Sequence, residues 1–425
     1  MNMPPAHSRD PFGWTCVAVL VFLVLALVRI AIPSNPYFDE VHYLPAVRSL
    51  MALGIAQNLE HPPLAKQIMA LGMWLFGDRP FGWRAMSVIF GALALFAMMR
   101  AAWFASDRRA VSLLTGAFVA TNFLLFVHAR IAMLDIFMLA FVMVALWMCA
   151  AACREPERHA RAKLIIAGIA IGAAMACKWN AIPLAVLPGL AFFAARLSAG
   201  RRRLLVSQRG APVPGISLLE AFAWLGLLPL AVYAASYWPF AFYASVPGNP
   251  DGLFALHGQM LDLQTQVLKE HPYQSVWWQW AANIRSIWYL YEEIDGAQRA
   301  VMLIGNPVTM LAGLAALIWC AWAGLVRRRW DALAAAVLYV VSLALWIVAP
   351  KPVQFYFHYL LHGCFLNYAL ALAVDALWQR GERLVPAVLV IGAAGCFVYW
   401  FPALTAAPLD GPQSFTNWAW FAGWR

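Results

Sequence analysis

The sequence predicts an all-α polytopic membrane protein, and three observations predict it. Of its 425 residues, 63% are hydrophobic and 12% charged, with a mean hydropathy of +0.69; an ordinary soluble domain carries about twice that charge. Apolar runs recur at close to the roughly 20 residues that a helix needs to cross a bilayer. Lys and Arg gather in alternate short loops, the asymmetry left by oriented insertion.

The runs Trp14 to Ile32, Met86 to Phe104, Leu113 to Val127, Ile131 to Ala152 and Leu384 to Trp400 approach or reach the crossing length. About eleven transmembrane helices are expected by that criterion. The first run is too long for the core of a secretory signal, and Asn35-Pro36-Tyr37-Phe38-Asp39-Glu40 after it is not a small-residue cleavage site, so it reads as a retained anchor. Cys16, Cys149, Cys153, Cys177, Cys320, Cys364 and Cys396 fall mostly in apolar runs without metal-finger or redox spacing, and read as buried, inert thiols. The net charge of +10 lies mainly in short loops, where orientation accounts for it, so nucleic acid is not expected as a partner.

Arg108-Arg109, the group Arg154, Arg158, Arg161 and Lys163, the group Arg196, Arg201, Arg202, Arg203 and Arg209, then Arg327 to Arg329, and Arg380 with Arg383 mark the cytoplasmic loops. The opposite, extracytoplasmic loops hold Asp39, Glu40, Glu60, His61, His128, Arg130, Lys178 and Gln354 to His358. Two of them, Pro33 to Trp83 and Tyr237 to Arg299, are long and rich in Pro, Trp and Tyr, and are expected to contain interfacial helices. The chain thus divides into an N-terminal transmembrane core, 1–236, whose first loop spans 33–83, an extracytoplasmic loop, 237–299, and a C-terminal transmembrane portion, 300–425. With the N-terminus inside and an odd number of spans, the tail from about Pro402 lies outside.

Candidate chemistry lies on that outer side. Asp39 and Glu40 follow directly on the first span, where ionised groups are costly unless they are used or solvated. Taken alone, they fit an interfacial acidic pair equally well. His61-Pro62-Pro63-Leu64-Ala65-Lys66 places His61 and Lys66 around the start of a helix. Arg130 and Asp135 stand five residues apart near the surface, where Arg130 either snorkels to headgroups or meets a substrate. Lys178-Trp179 puts a single cation between two apolar spans, as an interfacial anchor or as a contact for a lipid-linked phosphate.

In this order, these segments resemble the protein O-mannosyltransferases, membrane glycosyltransferases of the GT-C class. Phe38-Asp39-Glu40-Val41-His42 looks like the family's first-loop acidic motif, and His61 to Lys66 like its HPPLGK segment, with Ala65 replacing the usual Gly. Arg130 to Asp135 and Lys178-Trp179 look like its next Arg/Asp and Lys-Trp segments. His271-Pro272-Tyr273-Gln274-Ser275-Val276-Trp277-Trp278-Gln279-Trp280 is similar to its H-Y-x-S-x-W-x-x-W loop, and Phe355 to Leu360 to its aromatic Y-x-H-Y segment. The matches are colinear from about residue 37 to 370. The loop at 237–299 has no room for the β-trefoil domain inserted in eukaryotic members, which makes this a bacterial-type chain.

The resemblance implies a GT-C fold and inverting transfer of a sugar, most simply mannose, from a polyprenyl-phosphate carrier to a Ser or Thr hydroxyl of an exported protein. The expected setting is the outer face of a bacterial inner membrane. Asp39 and Glu40 are then the catalytic acids, with Asp39 as base. Arg130 and Lys178 bind the donor phosphate, and His42, His61, Lys66, Asp135, His271, Tyr356 and His358 line the substrate sites. Asp39, Glu40 and His42 could supply hard ligands to a divalent metal, as in other GT-C enzymes, but the resemblance implies no such requirement, and no metal is expected. A related activity would pass another sugar to a lipid or polysaccharide, as aminoarabinose transferases do. A transporter of lipid-linked sugars would instead place ionisable groups near the membrane midplane, whereas the motif charges here cluster towards one face.

Overall fold

A computed structural model describes residues 9–154, 157–199, 203–267 and 269–425. Arg201 and Arg202 of the third basic cluster lie outside the described residues.

The N-terminal part runs α1 (Phe12–Leu27), α2 (Glu40–Met51), α3 (Leu64–Phe76), α4 (Pro80–Ser106), α5 (Arg109–Ala120), α6 (Phe123–His128), α7 (Leu134–Ala152) and α8 (Glu157–Cys177). Then come α9 (Ile182–Ala185) and α10 (Leu187–Ser198), forming one apolar rod with the turn before them, and α11 (Leu218–Phe222) and α12 (Leu228–Ala235), joined by a π-helical turn. Beyond these lie α13 (Gly252–Thr265), α14 (Trp277–Ala281), β1 (Ile287–Ile294), β2 (Ala297–Leu303), α15 (Pro307–Arg327), α16 (Trp330–Val348), α17 (Leu360–Gln379) and α18 (Leu384–Leu404). Among the described residues, nine helices are long and apolar enough to span a bilayer. The shorter α1 and the broken rod α5–α6 complete the expected eleven crossings.

Local chemistry explains the breaks. Asn122 interrupts the apolar run at 113–127 because its side chain accepts from the Leu124 amide and starts α6 as a cap. Asn306 caps α15 in the same way, with Pro307 at its first position. Gly168 and Gly172 on α8 let α12 approach closely: a Cβ at Gly168 would lie 1.9 Å from the Trp224 carbonyl oxygen, and one at Gly172 2.5 Å from that of Pro229. The span Tyr356–Gln379 is the most enclosed, with 83% of its apolar window buried, whereas Leu218–Ala241 is largely peripheral at 17%.

By alternation of the crossings, α2, α3, α13, α14 and the residues after α18 gather on one face, and the described Arg clusters lie at the other. Contacts tie that face together. Ile55 bridges to Ser245, Gln298 pairs with Leu409, and the carbonyl of Trp424 accepts from Ser286 and Trp288. The tail therefore shares a side with the 237–299 loop, as expected from the odd number of spans.

That loop also contains an element the sequence reading missed, the antiparallel hairpin β1–β2, whose register runs from Ile287 opposite Leu303 to Ile294 opposite Ala297. Its turn is Asp295-Gly296, both at positive φ, the pairing that two-residue hairpin turns favour. The cysteines are free, but only Cys177, Cys320 and Cys364 are buried; Cys16 and Cys153 sit on outward helix faces, correcting the expectation of uniform burial.

Candidate active site

Asp39 stands at the N-terminus of α2, one residue after Phe38, which adopts a left-handed φ of 50°. A bulky residue there is strained, and such strain persists where surrounding contacts enforce it. Phe38 is held by stacking on Tyr289 of β1 at 3.9 Å and by the edge of Phe357 at 6.0 Å. The hairpin thus helps set the direction in which the chain enters α2.

The adjacent acids have different surroundings. Glu40 is fully buried and grips Arg84 of α4 through two 2.8 Å bonds. Its oxygens also accept from the amides of Ala132, at 3.0 Å, and Tyr37, at 3.3 Å. The same guanidinium donates to the carbonyls of Ile30, Pro33 and Asn35. Glu40 is therefore fastened to the scaffold through Arg84. Asp39 is only half-buried, and its carboxylate has no hydrogen bond from a side chain among the described residues. Burial pushes that carboxyl up to about 6, against the downward pull of the Lys178 charge, while the negative charge of Asp135 adds to the rise.

Lys178, on the turn after α8, meets both oxygens of Asp135, in the first turn of α7, at 2.7 and 2.9 Å. Its ammonium also lies over the Phe357 ring at 5.1 Å. A second cation arrives from a place the sequence reading passed over: Lys351, in the link between α16 and α17, within electrostatic reach of Asp39, Asp135, Lys178 and Glu60. Burial, reinforced by the Lys178 charge, lowers its ammonium to about 8. Gln264 of α13 accepts from Lys351 at 2.9 Å and donates to the Glu60 carbonyl at 2.7 Å and to Nδ1 of His61 at 3.2 Å. That bond requires an unprotonated Nδ1, and burial together with three nearby lysines holds His61 well below its usual value. Lys351 obeys the argument that singled out Lys178, a cation on the face otherwise poor in positive charge.

The remaining expected site residues divide. His42 is exposed beside Asp39 and acts on it electrostatically, and His358 is buried against Trp346 at 3.8 Å, within electrostatic reach of Lys178 and Lys351. Lys66 is turned inward to the carbonyls of Asn58 and His61, at 2.6 and 3.1 Å, and shapes the first loop. Arg130 donates to the Ala26 carbonyl and lies over Phe126; its charged neighbours are Arg84 and Arg29, so the structure does not join it to Lys178 as one clamp. The Tyr356 hydroxyl is engaged with Asn283 and the Gly305 amide, at 2.5 and 2.9 Å. His271 lies exposed, its ring 5.2 Å from Phe355. Among the described residues no three His, Cys, Asp or Glu side chains converge as a metal site.

A helical bundle with an acidic first loop and with Asp39, Lys178 and Lys351 gathered at one end fits a membrane glycosyltransferase of the GT-C fold, the class that its similarity to known proteins shows. Residues 60–225 match the family model for dolichyl-phosphate-mannose-protein mannosyltransferase, and residues 251–424 match that for the C-terminal four-transmembrane region of protein O-mannosyltransferase. The chain belongs to the protein O-mannosyltransferase family. It is 27% identical to the polyprenol-phosphate-mannose–protein mannosyltransferase of Mycolicibacterium smegmatis, over 97% of this chain and 93% of the relative. In structure it resembles the Saccharomyces cerevisiae protein O-mannosyltransferase Pmt1-Pmt2 complex bound to its sugar donor, with a TM-score of 0.80, 14% identity, and coverage of 97% of this chain and 93% of the other. It is also similar to apo ArnT from Cupriavidus metallidurans, with a TM-score of 0.59, 14% identity, and coverage of 92% and 76%.

Proposed function

We propose that the protein transfers mannose, with inversion, from a polyprenyl-phosphate carrier to a Ser or Thr hydroxyl of an exported protein at the extracytoplasmic face of a bacterial inner membrane. The observation that carries this reading is Asp39: a half-buried carboxylate with no side-chain hydrogen bond among the described residues, raised to about 6, within electrostatic reach of two lysines and at the end of the bundle where α2, α3 and α13 gather. A lipid donor and a water-borne acceptor can both reach such a position.

In this mechanism the acceptor hydroxyl oxygen attacks the anomeric carbon as the bond from that carbon to the phosphate oxygen breaks. Asp39 takes the hydroxyl proton, a contribution of roughly 10² to 10⁴ in rate. The leaving phosphate keeps the bonding electron pair, and its growing charge is met by Lys178 and Lys351, whose interaction strengthens in the transition state. Asp135 holds Lys178 in place, and Glu40 holds the start of α2 through Arg84. The leaving group is an anion in its own right, so no acid and no metal is assigned a step.

Incubation of purified protein with radiolabelled polyprenyl-phosphate mannose and exported peptides tests this reading. The expected product is a peptide carrying α-mannose on Ser or Thr; label appearing only in lipid or polysaccharide would replace it with the related activity.

A further inference from the structure

At the end of the bundle opposite Asp39, a crevice opens between four helices. Met98, Ala101, Ala102 and Ala105 of α4, Met143, Leu146 and Ala150 of α7, Ala334 and Leu338 of α16, and Phe365 and Tyr368 of α17 line a cavity of about 120 Å³. Asp135 and Ala150 are fifteen residues apart on α7, roughly 22 Å at the rise of a helix, so this space is separate from the site described above. Its wall is almost wholly apolar, the kind of cavity that stays dry and accepts hydrocarbon. Ala105 and Ala334 are exposed, so it opens sideways where lipid surrounds the bundle.

Two further observations concern what enters it. The Tyr368 hydroxyl is buried without a hydrogen-bond partner, an unusual state for a phenol inside a membrane protein. At the mouth, Arg154 pairs with Asp107 at 2.9 Å and donates to the carbonyl of the lining residue Ala105, Arg329 pairs with Asp331 at 2.7 Å, and Asp331, Arg329 and Arg154 all lie within electrostatic reach of Tyr368. The helix ends around the mouth carry Arg108, Arg109, Arg154, Arg327, Arg328 and Arg329 against Asp107, Asp331 and Asp375, an excess of three positive charges. A zwitterionic lipid gains nothing from that excess, whereas an anionic headgroup does.

We infer that this crevice is a binding site for one anionic phospholipid, its acyl chain between α4, α7, α16 and α17 and its phosphate against Arg154. The inference does not depend on the proposed reaction. It rests on the crevice and its basic rim.

Full-length protein in nanodiscs of mixed phosphatidylglycerol and phosphatidylcholine of the same acyl chains is examined by native mass spectrometry. Wild type should retain phosphatidylglycerol with a preference of about fivefold, the worth of roughly one basic contact at a membrane surface. Arg154→Gln should abolish the preference, and Ala101→Phe, which fills the crevice, should remove the retained lipid. Thermal unfolding of both variants in detergent confirms that they are folded, and Ala334→Phe serves in place of Ala101→Phe if that protein is not. Equal retention of the two lipids by wild type, or undiminished phosphatidylglycerol on the folded variants, would overturn the proposal. So would displacement of the retained lipid by polyprenyl phosphate, which would make the crevice part of the donor site.

Discussion

Lys178 and Asp135 form a closed pair, the ammonium within 2.9 Å of both carboxylate oxygens, with the partnerless carboxylate of Asp39 in the same electrostatic neighbourhood. Asp39 feels the attraction of Lys178, His42 and Lys351 and the repulsion of Asp135. Lys351 supplies the second cation. This arrangement sets the first expectations.

Asp39→Asn keeps shape and removes the basic oxygen. Turnover in the mannosyl-transfer assay should fall by at least about 10²-fold, while affinity for polyprenyl phosphate changes little, because a base acts mainly in the transition state. Wild-type turnover for this variant would remove Asp39 from the chemistry.

The pH dependence follows from the two shifted groups. Asp39 is competent only when ionised, so turnover should rise through pH 6. Lys351 loses its charge through about pH 8, so donor affinity should weaken above it. The same upward shift makes a stability statement: a carboxyl raised from 3.8 to about 6 favours the fold at low pH, and this contribution is lost as pH rises through that window. Asp39→Asn should accordingly raise the unfolding temperature at pH 7.5 and leave it unchanged at pH 3.5.

Lys178→Met and Lys351→Met should each weaken polyprenyl-phosphate binding, measured by titration, by about tenfold, as loss of a charge-assisted hydrogen bond would. Arg130→Met should lower thermal stability more than donor affinity, since its guanidinium serves the Ala26 carbonyl. The reverse pattern would restore Arg130 to the phosphate.

Glu40→Gln leaves Arg84 buried and uncompensated, and removal of one partner from such a pair costs about 3–5 kcal/mol. The unfolding temperature and the membrane yield should fall, and pairing the change with Arg84→Met should recover part of the loss. An unaltered fold with lost turnover would instead place Glu40 in catalysis.

Exhaustive chelation should leave transfer unchanged, because Glu40 is committed to Arg84 and no group of metal-binding side chains surrounds Asp39 among the described residues. Loss of activity that returns on adding a divalent cation would show a metal requirement.

The crossings were legible because lipid demands apolar length, and the gathering of the first loop, Asp39 and Lys178 at one end of the bundle because successive crossings alternate between its two faces. Asp39 and Lys178 could both be placed from local pattern. Pairings could not: Glu40 and Arg84 are 44 residues apart, and Asp135 and Lys178 43, with nothing in the intervening sequence to record which cation meets which acid. That is why the neighbouring acids read alike, and why the contact of Arg130 with the Ala26 carbonyl could not be foreseen. The hairpin did leave a trace in Asp295-Gly296, but Ile287-Trp288-Tyr289-Leu290-Tyr291 also fits an aromatic interfacial segment, and that reading hid the strand. Lys351 was visible by the rule applied to Lys178.

The knot that Arg84 ties also orders events during synthesis. Its partners, Ile30, Pro33, Asn35 and Glu40, and the Ala132 amide that shares the Glu40 carboxylate, all lie within the first third of the chain. The backbone that carries Asp39 can thus be fastened while most of the protein is still on the ribosome, since chains fold from the N-terminus as they emerge. Tyr289, which stacks on Phe38, and Lys351, which completes the cationic pair, arrive hundreds of residues later. A nascent chain therefore fastens the backbone of Asp39 early and gains the second lysine near it only towards the end of synthesis.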